Sequence, residues 1–155
     1  MTSVDLKLER PVDTKIYDLT IASSGDLGTI ESFDTSLAVS LFAEKRADSS
    51  EVPDPPRRRG WWGNETNDEI EFEIGSKLWI LMAQPRKTSL NLERAKSYAR
   101  EALQWLIDDG FLQSLEVSAE FTSIGIRLTI VLYRSANIVE TKYYDLWEAS
   151  GELVT

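Results

Sequence analysis

The sequence predicts an α+β fold: an N-terminal β-hairpin, then two to three helices packed on one face of an antiparallel C-terminal β-meander. Two observations carry this. Leu92, Ala95, Ala99, Ala102, Leu103 and Leu106 recur at helical spacing, so Leu90 to Asp108 reads as an amphipathic helix about 28 Å long. Beyond it come three strand-like runs, two of them alternating between apolar and polar residues as strands with one buried and one wet face do.

The elements follow in order. Residues 11–31 read as the hairpin: Ile16 to Ile21, turn residues Ser23-Ser24-Gly25-Asp26, then Leu27 to Ile30. Asp34 to Asp48 fits a helix through Leu37, Ala38, Leu41 and Phe42, with Asp34 as N-cap, and fits a strand through Leu37, Val39 and Leu41; helix is the preferred reading. Ser49 to Pro56 is rich in Pro, Asp and Ser and reads as a loop. Gly75-Ser76 opens a short helix capped by Ser76, which buries Leu78, Ile80, Leu81 and Met82 and ends before Pro85. Asn91 or Ser89 caps the main helix, and Gly110 stops it. The strands are Leu115 to Thr122, Ile126 to Tyr133 and Ile138 to Trp147, with turns at Ser123–Gly125 and Ser135–Asn137. The expectation is a single domain over 1–155 with a Pro-rich loop at 49–59.

Composition limits the chemistry. The 155 residues suffice for one core and include neither cysteine nor histidine. Disulfides and thiolate metal sites are excluded, and the commonest general base and zinc ligand are missing. Met1 to Arg10 is polar and charged, unlike a signal peptide, and the longest apolar run, Leu78 to Ala83, is too short to span a membrane. A soluble protein made and used in a cytoplasm is expected. The net charge of -9 is uneven: residues 57–100 carry 9 basic and 6 acidic side chains, against 5 and 11 before them and 3 and 9 after. Acidic ends would repel phosphate, whereas patches of different sign suit protein partners.

The chain is organised around Arg57 to Ala83, which holds three of five tryptophans and the only arginine run. Trp61 and Trp62 stand side by side between Gly60 and Gly63, and neighbours on a helix or strand point in different directions. At least one ring therefore belongs on a surface or against a partner. Trp and Arg are interface hot-spot types, which makes Arg57, Arg58, Arg59, Trp61 and Trp62 candidate partner contacts. The alternative is that both rings cap the chain's own core and the arginines are solvated.

Other chemistries have thinner support. Asn64 to Glu73 is acidic, but the mid-loop glycine of an EF-hand is missing. Asp108 and Asp109 could serve a hydrolase only with a distant carboxylate such as Glu116 or Glu120. No phosphate loop or Gly-x-Ser-x-Gly elbow occurs. Nucleic-acid binding could use Arg57–Arg59 on phosphates and Trp61 and Trp62 as stacking platforms. An interaction or structural protein is the best-supported class, with no catalytic residue, cofactor or metal expected.

Arg59-Gly60-Trp61-Trp62-Gly63, Gly75-Ser76-Lys77-Leu78-Trp79 and Glu101 to Gly110 (Glu-Ala-Leu-Gln-Trp-Leu-Ile-Asp-Asp-Gly) together resemble the tail proteins of Mu-like phages and prophages. The resemblance runs from about Leu19 to Trp147. More distantly it extends to the small baseplate wedge subunit of contractile tails and its type VI secretion counterpart. It implies a wedge protein near the baseplate hub that joins neighbouring wedge subunits and helps start the sheath, without catalysis. The implied location is the virion tail baseplate, after assembly in the host cytoplasm. The implied partners are other wedge and hub subunits and the sheath protein, with no membrane, nucleic acid or small-molecule substrate. The wider family has a Glu-Pro-Arg motif after its main helix, where this chain has Asp108-Asp109-Gly110. Two carboxylates at the negative end of a helix dipole are a local misfit. Asp108 and Asp109 are therefore candidate partner contacts too. One of them could take an arginine, from the Arg57–Arg59 run or from a neighbouring subunit; the alternative is that both point into water.

Overall fold

The computed structural model describes residues 5–6, 8–9, 18–19, 23–24, 29–30, 33–65, 73–134 and 137–146. Four two-residue strands come first: β1 (Asp5–Leu6), β2 (Leu8–Glu9), β3 (Asp18–Leu19) and β4 (Thr29–Ile30). Their pairing corrects the expected hairpin. Among the described residues β3 and β4 do not pair with each other; β2 pairs antiparallel with β3, and β1 with β4, while residues 11–17, 20–22 and 25–28 of the expected hairpin lie outside the described residues. The turn at Ser23-Ser24 is present, but Asp5–Leu6 and Leu8–Glu9 supply the partner strand for each side. The N-terminal region thus keeps a consecutive antiparallel pair, one strand earlier than the turn residues indicate.

Helix α1 spans Asp34–Phe42 and buries Leu37, Ser40 and Leu41, which settles the helix-or-strand ambiguity. It ends six residues before Asp48 because Ala43 turns extended and Glu44 forms a parallel bridge with Ser76. Asp34 is not the cap: Phe33 holds that position without a side-chain bond, and Asp34, in the first turn, pairs with Lys142 at 2.5 Å. Helix α2 spans Leu78–Ala83. Leu78 and Leu81 are buried, Ile80 is half-buried and Met82 is exposed, contrary to the four buried residues expected. At about 100° per residue Ile80 falls off the arc that Leu78 and Leu81 share, and Met82 lies at the exposed end of the helix. Lys77 stands at the N-cap position, while the Ser76 hydroxyl accepts from the Leu78 N–H at 3.1 Å and donates to the Leu41 carbonyl.

Helix α3 spans Ser89–Asp108 and buries Ala95, Tyr98, Ala99, Leu103 and Leu106, close to the expected face. The cap is Thr88, rather than Ser89 or Asn91: its Oγ1 accepts from the Asn91 N–H at 3.1 Å. Asn91 is turned inward and donates to the Arg86 carbonyl. Gly110, at φ +79°, ends the helix as expected, and its N–H returns to the Ile107 carbonyl.

Strands β5 (Ser114–Phe121), β6 (Ile126–Tyr133) and β7 (Val139–Asp145) form an antiparallel sheet in the order β5-β6-β7. Register pairs Val117 with Ile130 and Leu128 with Tyr144. Ile126, Leu128, Ile130 and Leu132 are fully buried on the helix side, as alternation predicts. Phe121 departs from the pattern: it is exposed at the strand end, with Lys87 Nζ 5.8 Å from its ring centre. Helix α3 lies on β5 and β6, and α1 and α2 pack against α3, giving one core between helices and sheet. Among the described residues no helix is long and apolar enough to cross a membrane.

Candidate partner-binding site

The arginine and tryptophan segment is held in place by the extended residues that follow α1. The Lys45 N–H donates to the Ser76 carbonyl and the Ser76 N–H to the Ala43 carbonyl, at 3.0 and 2.9 Å. The same stretch binds the segment itself through the Ala47 N–H and the Arg58 carbonyl, 2.9 Å apart. Pro55 to Arg57 forms one 3-10 turn, and Trp62 to Asn64 another. The Asn64 side chain then pairs with both backbone groups of Ile74, each at 2.9 Å, closing the acidic loop at its base.

Each arginine has a different job. Arg57 is exposed, 3.2 Å from Asp54. Arg58 is half-buried and donates to the carbonyls of Val52 and Pro53, bracing the Pro-rich loop from inside. Arg59 adopts a left-handed backbone, φ +52°. Its guanidinium meets Glu44 at 2.5 Å and stacks 4.7 Å from the centre of the Trp79 ring. Trp79 is fixed in turn, its indole N–H donating to the Lys45 carbonyl at 2.8 Å.

The tryptophan pair is divided between interior and surface. Trp61 is half-buried and lies over Gly63, where a Cβ would fall 2.3 Å from its ring. Trp62 is 71% exposed, its ring centre 5.7 Å from that of Trp61. The structure therefore brings Trp61 and Trp62 together and separates Arg59 to the Trp79 side.

Asp108 and Asp109 are exposed at the C-terminal end of α3. Asp108 accepts from the Gln104 side chain at 3.0 Å, and the Asp109 N–H donates to the Trp105 carbonyl at 2.9 Å. Neither carboxylate takes an arginine among the described residues. The pairing with Arg57–Arg59 is not formed, because those guanidinium groups are engaged by Asp54, Val52, Pro53 and Glu44. Trp105, one turn back, is turned inward: its indole donates to Ser40 Oγ at 3.0 Å, and Phe111 packs edge-on against it.

One polar cluster has no signal in the local sequence. Lys77 Nζ, almost wholly buried, lies 2.7 Å from Asp48 and 2.9 Å from Glu51. The Tyr98 hydroxyl donates to the same Glu51 at 2.9 Å. Burial opposes the charge on Lys77, but hydrogen bonds and charges from Asp48 and Glu51 outweigh it and raise its pKa. Asp48 is held below its usual range by the Lys77 bond and charge. Burial works against the Glu51 carboxylate, yet the Asp48 N–H, Lys77 and Tyr98 hold it below its ordinary value. Burial and then Glu51 push the Tyr98 phenol up to about 12. The cluster ties the start of α2 and the middle of α3 to the Pro-rich loop that carries the arginines.

The competing chemistries fare less well on this geometry. Arg58 and Arg59 spend donors inside the chain, which weakens a phosphate-binding reading. Glu116 and Glu120 stand on the sheet face turned away from the helices, so they do not converge on Asp108 or Asp109. Among the described residues no three acidic side chains gather to hold a metal ion. Residues 66–72 of the acidic loop lie outside the described residues.

Fold and surface together define a small α+β domain whose polar groups brace an exposed aromatic and guanidinium face. The chain belongs to the family described as "Phage protein GP46", which matches residues 33–138, from the residue before α1 to the edge of β7. It is 44% identical over 103 residues to "Baseplate protein gp46" of Escherichia phage Mu, covering 64% of this chain and 68% of that protein. It is 35% identical over 102 residues to "Mu-like prophage FluMu protein gp46" of Haemophilus influenzae, covering 66% of this chain and 67% of the relative.

Proposed function

We propose that the chain is a non-enzymatic structural component of a contractile phage tail baseplate, a wedge subunit that joins neighbouring wedge proteins and helps initiate the sheath. Its place is the tail baseplate of the virion, reached after assembly in the host cytoplasm. Its partners are other wedge and hub subunits and the sheath protein. The family match and the name of the phage Mu relative support the baseplate role.

The structural observation that carries the contact role is Trp62, 71% exposed on a segment held by hydrogen bonds on both sides. A rigid, exposed indole is what a desolvated protein contact uses. In this reading Trp61 and Trp62 form one partner-facing patch, Arg57 and Arg59 make separate contacts, Arg58 holds its loop in shape, and Asp108 and Asp109 meet a basic neighbour at the far end of α3.

Deletion of the gene and complementation with a tagged copy test the role. The expected result is that particles lacking the protein carry no functional contractile baseplate, and that the tagged copy restores it and co-purifies with tail proteins. Normal contractile tails in the deletion strain would overturn the reading. Cell-wall degradation by the purified chain would favour the hydrolase class instead.

A further inference from the structure

A cleft of about 280 Å³ lies between α1 and α2. Leu41, Phe42 and Met82 give it apolar walls, and Trp79, Arg59 and Glu44 close one end. Phe42 and Met82 are exposed in the free chain. We propose that this cleft takes a bulky apolar side chain from an acidic segment of a partner protein, whose adjacent Asp or Glu binds the guanidinium of Arg59. The proposal deepens the contact role above and rests on it, by naming the chemistry of the partner segment.

Three features point to that occupant. Arg59 is preorganised: its guanidinium is stacked on Trp79, and Trp79 is itself tied to the Lys45 carbonyl. Its backbone is held left-handed at φ +52°, a costly conformation for a residue with a side chain and one that clusters at binding sites. Glu44 meets only Nη1 of a group with five N–H donors, and the pair is half open to solvent, at 47% and 41% exposure. A second carboxylate can therefore join or replace Glu44 on the guanidinium fork.

The chain supplies its own reporter, because Met82 is one of only two methionines, the other being Met1. The full chain, labelled on its methionine methyls, is titrated with three short peptides that differ at one position: Gly-Phe-Asp-Gly, Gly-Phe-Asn-Gly and Gly-Phe-Lys-Gly. The Met82 methyl resonance should shift saturably with the Asp peptide while Met1 stays still, and the Asn and Lys peptides should bind about tenfold more weakly or worse. Arg59→Gln, shown folded by its thermal transition, should lose the Asp preference. Glu44→Gln should tighten the Asp peptide several-fold by removing the resident carboxylate. A still Met82, or equal binding of all three peptides, would overturn the proposal. A Met82 shift that depends on protein concentration without peptide, with a dimer in sedimentation that Arg59→Gln dissolves, would assign the cleft to a second copy and overturn it too. Failure here alongside the chain's presence in purified tails would remove the cleft and leave the baseplate role standing.

Discussion

The carbonyl oxygen of Ala43 occupies the place where a side chain on Gly75 would begin, 2.6 Å from the ideal Cβ position. Gly75 also stands at φ +112°, which only glycine adopts readily. Gly75→Ala should therefore cost about 2 kcal/mol or more, through strain and loss of the Glu44–Ser76 bridge. Gly110, at φ +79° with nothing near its missing Cβ, supplies the control, and Gly110→Ala should cost only about 1 kcal/mol. Thermal unfolding of the two variants checks the order; equal losses would show that the close approach to Ala43 carries no cost of its own.

Lys77 joins distant parts of the chain through Asp48 and Glu51. Lys77→Met keeps the packed stem, leaves Glu51 without its ammonium partner, and should destabilise by about 2 kcal/mol, less than a fully buried pair because Asp48 is at the surface. The pH dependence has a definite sign. The folded pKa values of Asp48 and Glu51 are lowered from ordinary values of 3.8 and 4.5, so their contribution is complete above those values and lost as pH falls through the folded ones. Tyr98 titrates in the folded chain near 12 rather than 10.0, so its contribution is present below pH 10.0 and lost as pH rises toward 12. Stability of Lys77→Met measured against pH should fall less steeply on the acid side than that of the parent.

The two adjacent tryptophans should differ in kind. Trp61→Ala removes a ring lying over Gly63 and should cost about 1–3 kcal/mol, with a lower soluble yield. Trp62→Ala removes an exposed ring and should change stability by about 0.5 kcal/mol or less. Denaturant titration of both variants reads this directly, and similar losses in both would make Trp62 part of the core.

Asp108 and Asp109 face the negative end of the α3 dipole with no basic residue in the last turn. Asp109→Asn should stabilise the isolated chain by about 0.3–1 kcal/mol. Asp108→Asn should gain less, since it weakens the bond from Gln104. Variants that are stabilised and still assemble normal tails would remove both residues from the partner surface.

What could be read in the sequence was what depends on burial period. The α3 face and the alternation of β6 were legible because each buried position recurs at the spacing of its own element. The exposed member of the Trp61–Trp62 pair was legible in kind, since adjacent side chains cannot share one core direction. Capping was not, because Thr88, Ser89 and Asn91 are all good caps within four positions. The end of α1 was hidden for another reason: its pairing with Ser76 lies over thirty residues away in sequence. The Lys77 cluster draws on residues 48, 51, 77 and 98, which no local pattern connects. The strand pairing before residue 31 was misread because the turn at Ser23-Ser24 does not show which earlier residues complete each pair.

The most direct test of the contact role is tail assembly with Trp62→Ala in place of the natural residue. The account predicts a variant with the parent's thermal transition that accumulates in the infected cell but fails to enter baseplates, leaving particles without working contractile tails. A folded Trp62→Ala chain that assembles normal, contracting tails would contradict it.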